Sequence, residues 1–396
     1  MSMKYTPSSF FKTMRNEILK PIFDTNGIEL DGVDWENREP SKDKSVGEAW
    51  EALRTEECTL ENVTAVHEVF QCISVLAKPV SEIDVLARLF EEQGRLRHPL
   101  PDGFDGLTRQ EQAAVIYNAE GRRTLMCLVD AALAKCITPN RWTEYGNVPQ
   151  GPIAVTEDMK KALAAEIDKA YSGIKGGNCH VETYPLDDGV LYFLCKMDDK
   201  PEFYETKKPG EDDYGYEARI CPYTTTLAYD HVKGKLSIHG TLPRKKMCAL
   251  AATASRLISG EETRVERLDR PTYDLTELAR IGYRFPAMPG EGILDIYIKT
   301  LVLHPDCSPD SEVTFKNLGD GDAYDSIEEY HRGYQLPQGT FRVVRAVIVI
   351  EFENADIKAV KFELTPKTCT QTGLLGSQRK LVERLVAKMG VERRYE

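Results

Sequence analysis

The sequence has no Cys-x-x-Cys pair, no short repeat or low-complexity tract, and no run approaching the roughly 18 apolar residues of a membrane span. It also lacks the basic-then-apolar start of a secretory signal. The first absence argues against zinc ribbons and thioredoxin-type redox motifs, and the second against solenoids. The last two predict a protein with no membrane partner. The ten cysteines then read as free, mostly buried thiols in a reducing compartment, and a cytoplasmic location is expected. Basic residues are in deficit, 51 against 63 acidic, so the net charge is -12 and the overall field repels nucleic acid and anionic membrane. No His-Glu-x-x-His occurs, and Gly176-Gly177 is not followed by the Lys-Ser/Thr of a phosphate loop, so no cofactor is expected.

What the chain does have is the composition of a folded protein. It is 41% hydrophobic and 29% charged over 396 residues, enough for two or three domains at roughly 100 to 200 residues each. The spacing predicts an α+β fold in which an N-terminal helical lobe is followed by antiparallel sheet-plus-helix units: a helical domain over 1–150, a meander with a covering helix over 151–260, and a second such unit over 261–396. The first part reads as helices over Pro7 to Lys20, interrupted by Pro21, then Val46 to Arg54, Leu60 to Ala77, Glu82 to Gln93 with Ser81 as cap, and Ala113 to Lys135 as its longest. Thr108 and Glu111 form a capping-box pattern before that last helix.

The stretch from Gly176 to Gly260 organises the rest. Segments Cys179 to Tyr184, Val190 to Met197, Tyr216 to Tyr229 and Lys235 to His239 predict a four-stranded antiparallel meander, with a change of apolar phase at Pro222. The charged excursion from Asp198 to Asp213 reads as a mobile loop between two strands. Thr241 and Pro243 then open a helix whose apolar face runs through Met247, Leu250, Ala251, Ala254, Leu257 and Ile258 and stops at Gly260. Beyond it, Ile293 to Leu303 predicts a half-buried strand with Leu294, Ile296, Ile298 and Val302 inward. Phe341 to Phe352 predicts a central strand, Val360 to Leu364 its hairpin partner, and Leu374 to Met389 a last helix.

Three acid-bearing patterns are candidates for chemistry. His180 and Glu182 form half of a zinc-deaminase pattern, but the Pro-Cys-x-x-Cys that completes such a metal site is missing, and a polar strand face is the plainer reading. Asp295 with Lys299, or Glu351, Glu353, Asp356 and Lys358, could supply the acids and lysine of a metal-dependent nuclease. Asp320, Asp322, Asp325 and Glu328 have the composition of a calcium loop without its ligand order, and read as an acidic loop leading into a helix. No metal is assigned to any of them.

The basic candidates are more informative. Arg244, Lys245 and Lys246 sit in the first turn of a helix, where the dipole disfavours cations, so a negative partner is expected there, either the acidic excursion or an external phosphate. Lys380, Arg384 and Lys388 are spaced by four on the last helix, beside Arg379, Arg393 and Arg394. The two patches together could track an anion or a nucleic acid.

The run Gly176 to Tyr184, the aromatic strand after it and the ending Leu385 to Val391 together resemble uncharacterised bacterial proteins of mobile islands and phage-defence neighbourhoods. The resemblance covers the C-terminal two-thirds, implies no activity and carries over no functional residues. The expectation is an intracellular, non-enzymatic interaction subunit, assembling with a protein partner and with nucleic acid as a second partner class. A metal-dependent nuclease or hydrolase is the alternative.

Overall fold

The computed structural model describes residues 7–55, 60–137, 141–175, 177–186, 189–199, 202–206, 215–219, 222–260, 262, 264–280, 283–305, 311–319, 321–333, 341–354 and 357–393. The fold is α+β, with helices first and sheets after. It divides into one unit of Met1–Cys136 with Tyr184–Asp188, and a second of Ile137–Thr183 with Gly189–Glu396. Among the described residues no helix is long and apolar enough to cross a membrane.

The first unit holds seven helices among its described residues: α1 (Pro7–Thr13), α2 (Asn16–Thr25), α3 (Ser45–Thr55), α4 (Leu60–Leu76), α5 (Ile83–Glu92), α6 (Arg109–Glu120) and α7 (Arg122–Lys135). Its core is aromatic. Phe10 stacks on Phe70 with ring centroids 5.0 Å apart, and Phe23 meets Trp50 edge-on at 5.6 Å. All four are buried, and each such side chain contributes about 1.5–3 kcal/mol on leaving water.

Three helix boundaries differ from the sequence pattern. The break expected at Pro21 falls earlier, at the extended Arg15, and α2 runs through Pro21. Ser81 does not cap α5; its hydroxyl donates to the Val75 carbonyl at 2.7 Å, and Glu82 holds the cap position in a left-handed conformation. The single long helix expected up to Lys135 is two, because Gly121 adopts φ +83°, which ends α6 and starts α7. The Thr108–Glu111 capping box forms as the pattern predicts.

The loop between α5 and α6 is held by a buried carboxylate. Glu120 accepts the backbone N–H groups of Arg97 at 2.9 Å and His98 at 2.8 Å. Burial raises this carboxyl, the N–H donors lower it, and the net result lies below the ordinary glutamate value. Stability from such a group is present above the unfolded-state value and lost as pH falls through the lower folded one.

The second unit contains two sheets with separate cores. The larger has six strands: β1 (Thr143–Gly146), β2 (Gly177–Pro185), β3 (Val190–Asp198), β6 (Pro222–Asp230), β7 (Lys235–His239) and β8 (Glu266–Arg267), in the order β2-β3-β6-β7-β1-β8. The expected meander supplies four of these. The segment ahead of the meander supplies β1, which pairs antiparallel with β7, Thr143 opposite Ile238 and Tyr145 opposite Leu236. Helices α8 (Glu157–Tyr171) and α9 (Arg244–Ser259) pack on one face. Leu163, Ile167 and Tyr171 of α8 and Met247, Leu250 and Ala254 of α9 join Phe193, Leu227 and Ile238 in one core.

Thr241 does not cap α9; its backbone N–H donates to the Tyr223 hydroxyl at 3.0 Å. The strand expected over Tyr216 to Tyr229 is also two. Β-strand β5 (Gly215–Arg219) pairs with β4 (Glu202–Thr206) in a sheet of their own, so part of the supposed mobile loop is a hairpin. Pro222, which cannot donate to a ladder, opens β6 instead.

The smaller sheet has the order β11-β10-β12-β13-β14, from β10 (Ile293–Pro305), β11 (Val313–Lys316), β12 (Phe341–Phe352), β13 (Val360–Thr365) and β14 (Thr368–Thr370). Its core takes in α10 (Ala323–Gly333) and α11 (Gly376–Met389). A short ribbon of β9 (Thr272–Tyr273) with β15 (Glu392–Arg393) closes the chain. Leu294 is not inward as expected but 66% exposed, because the register against β12 shifts between Ile293 and Asp295. A second shift between Ile298 and Thr300 moves the inward phase to Leu301 and Leu303.

Two substitutions test this account. Glu120→Gln should cost about 1–3 kcal/mol in denaturant unfolding at neutral pH and flatten the acid limb of the stability profile. Gly234, at φ +59° in the β6–β7 turn, would place a Cβ 2.6 Å from the Val148 carbonyl oxygen. Gly234→Ala should therefore cost more than the roughly 1–2 kcal/mol of left-handed strain alone. Gly173→Ala, at φ +77° with open space around it, is the control that isolates the clash.

Candidate functional site

The acidic candidates do not converge. The His180 imidazole Nε2 sits 2.9 Å from Glu182 Oε1, and the pair is spent on itself on an edge strand, with the histidine side chain 71% exposed. Asp295 stands opposite Glu351 in the ladder, but its Oδ1 accepts the Ile296 N–H at 2.8 Å, while Glu351 accepts the Tyr297 hydroxyl at 2.8 Å. Lys299 donates to the Gly319 carbonyl. Glu353 and Lys358 are exposed, and Asp356 lies outside the described residues. Asp322 accepts the Tyr324 N–H at 3.0 Å at the start of α10, and burial holds its carboxyl above the ordinary value. Asp325 and Glu328 are exposed, and Asp320 lies outside the described residues. Among the described residues, no three His, Cys, Asp or Glu side chains stand together as a metal site.

The basic candidates divide into cations used by the fold and cations left over. Lys246 donates from Nζ to the Ala170 carbonyl at 2.8 Å, in the last turn of α8. The charge that is unfavourable at the start of α9 is thus favourable at the end of α8. Arg244 and Lys245 are exposed. On α11, Arg384 pairs with Glu291 at 2.7 Å and Lys388 donates to the Ala287 carbonyl at 3.2 Å, so two of the three residues spaced by four hold down the 287–291 loop. Lys380 is exposed, the backbone N–H of Arg379 donates to the Leu375 carbonyl at 2.9 Å in the first turn of α11, and the Arg393 side chain pairs with Asp274 at 3.1 Å. Arg394 lies outside the described residues.

None of these residues lines a cleft of about 700 Å³ in the second unit, between its six-stranded and five-stranded sheets. That size lies in the range of small-molecule sites. From the larger sheet come Trp142, Glu144, Lys233 and Lys235, and from the connecting segment Arg267, Asp269, Arg270 and Tyr273. The smaller sheet and α11 add Lys367, Thr368, Cys369, Gln371 and Glu383, and β15 adds Glu392.

The chain reaches this geometry by closing a sheet edge. Once β1 has paired with β7, β8 pairs with β1, Arg267 opposite Tyr145 and Glu266 opposite Gly146. The Leu268 N–H then donates to the Glu144 carbonyl at 2.8 Å, and Leu268 packs over Gly146. This lays Arg267 and Arg270 along the cleft, exposed and without an ion pair among the described residues. Lys235 is neutralised by Glu144 at 2.8 Å, and Lys233 leans on Asp230 at 3.4 Å.

The opposite side is built differently. Gln371 is only 3% exposed, its amide nitrogen donates to Cys369 Sγ at 3.5 Å, and its Oε1 has no hydrogen-bond partner among the described residues. Such an acceptor is expensive to leave unmade. Burial, with Glu383 and Glu392 nearby, pushes the Cys369 thiol up to about 11, so it stays protonated at neutral pH and is no nucleophile. The lining thus carries charged and hydrogen-bonding groups from both sheets and from the segment between them.

Comparison with known proteins leaves this geometry to speak for itself: no protein-family model matches the chain, and no curated protein matches it either.

Sequence reasoning missed the cleft because its residues come from short strands and a connector with no periodic pattern. The one available signal was the Arg267-x-x-Arg270 spacing just before Pro271. If Gln371 is kept for a ligand rather than for the fold, Gln371→Met should leave the unliganded protein as stable or more stable, by up to about 1 kcal/mol in denaturant unfolding.

Proposed function

We propose that this protein is a non-enzymatic interaction subunit that holds a charged element of its partner in the cleft between the two sheets of the second unit. The observation that carries the reading is the pair Arg267 and Arg270, exposed along the cleft and unpaired among the described residues, facing a side that supplies Gln371 and Glu383. Lys246, Arg384 and Lys388, by contrast, are attached to carbonyls or a carboxylate of the fold. The resemblance to proteins of mobile islands supports an assembly of the phage-defence kind as the setting. A protein partner is expected first, with nucleic acid as the second class.

The test is purification of the tagged protein from the cells that make it, at about 0.1 M salt, where contacts between charges still hold. A stoichiometric partner should accompany the wild type and the Asp295→Asn/Glu353→Gln variant and be lost from Arg267→Glu/Arg270→Glu. A solitary protein with metal-dependent hydrolase activity that disappears in the acid variant would replace this reading with the enzyme.

A further inference from the structure

The chemistry of the cleft is specific enough to name a ligand class, on the reading that it is a binding site. Two features must be matched together. Arg267 and Arg270 present two guanidinium forks three residues apart on one side of the lining. Guanidinium forks suit phosphate oxygens bidentately. The other side presents acceptors: the unpartnered Oε1 of Gln371 and the carboxylate of Glu383. Those call for a ligand with N–H donors.

Simpler ligands satisfy only half of this. A bare phosphate or polyphosphate would use the arginines, but it would leave the Gln371 oxygen unmatched and meet the Glu383 carboxylate. An acidic peptide has the same conflict, and its backbone N–H groups would have to approach alongside its own negative side chains. A basic peptide meets the Glu383 carboxylate and is repelled by the arginines. A nucleoside phosphate carries both halves in one molecule: phosphates at one end, and at the other a base edge whose amino or imino groups donate to amide and carboxylate oxygens. The lining also includes the aromatic rings of Trp142 and Tyr273. Every base has a π face that stacks on such rings. Trp142 is held in place edge-on by Tyr192 at 6.4 Å and His239 at 6.0 Å.

We infer that the cleft binds a nucleoside phosphate, with the phosphates on Arg267 and Arg270 and an amino-bearing base edge on Gln371 and Glu383. The same chemistry is offered by a free nucleotide and by one nucleotide of a single strand.

The experiment is calorimetric titration of the full chain with ATP, GTP, CTP and UTP, with five-nucleotide single strands, and with tripolyphosphate and a glutamate-rich peptide as probes of charge alone. Binding of nucleotides or of the short strands is expected, whichever is tighter identifying the source. Arg267→Glu/Arg270→Glu should weaken it about tenfold or more, the equivalent of one charge-assisted hydrogen bond. Gln371→Met and Glu383→Gln should change the order of preference among bases without altering the response to tripolyphosphate, and unchanged denaturant midpoints show that each variant is folded. Tripolyphosphate or peptide binding as tightly as any nucleotide would overturn the inference, as would no binding of nucleotide or strand. If a protein partner is still lost from the arginine variant in that case, the interaction reading stands and only the ligand class falls. If it is not, both fall.

Discussion

A strand at the edge of a sheet exposes a row of unmet backbone N–H and C=O groups, and such an edge has to be paired, covered or blunted. Here the four strands of the meander do not end the sheet. The chain answers the open edge of β7 with β1, drawn from the segment before α8, and answers β1 in turn with β8, drawn from the segment after α9. The cleft follows from those two pairings. They decide where the connector to the smaller sheet begins, and so where Arg267 and Arg270 stand relative to Gln371 and Glu383.

The charge distribution follows a second rule, that a cation near a backbone carbonyl or a carboxylate of the fold is held by it. Three lysines and arginines that stand out in the sequence are attached to something in the fold: Lys246 to the last turn of α8, Arg384 and Lys388 to the 287–291 loop. A net charge of -12 therefore conceals a division between cations that hold the fold and cations that stay exposed without an ion pair among the described residues. The sign of a patch does not tell them apart. The presence of a carbonyl or carboxylate within reach does.

Elements with a strong period were legible from residues alone. Met247, Leu250, Ala251, Ala254 and Ile258 marked the buried face of α9, and the doubly apolar middle of Phe341 to Phe352 marked the central strand β12. Where the period is interrupted the pattern misled. Leu294 reads as inward only if β10 is taken as regular, and the register shift beside it turns it out to solvent. Gly121 sits inside a helical pattern that cannot reveal its backbone angle. Strands β1, β8, β9, β14 and β15 have two to four residues each, too short for any period, and most of the cleft is built from them and their neighbours. The candidate site was therefore almost illegible, even though the architecture was not.

The pairing of β1 with β7 also sets an order of assembly. Thr143 meets Ile238, and everything between them, including α8 and the meander, has to be made before the partner exists. Closing so long a loop is entropically costly until other contacts have already shortened it. The edge formed by β1 and β8, and with it that side of the cleft, therefore rests on pairings that span the whole meander rather than on local hairpins.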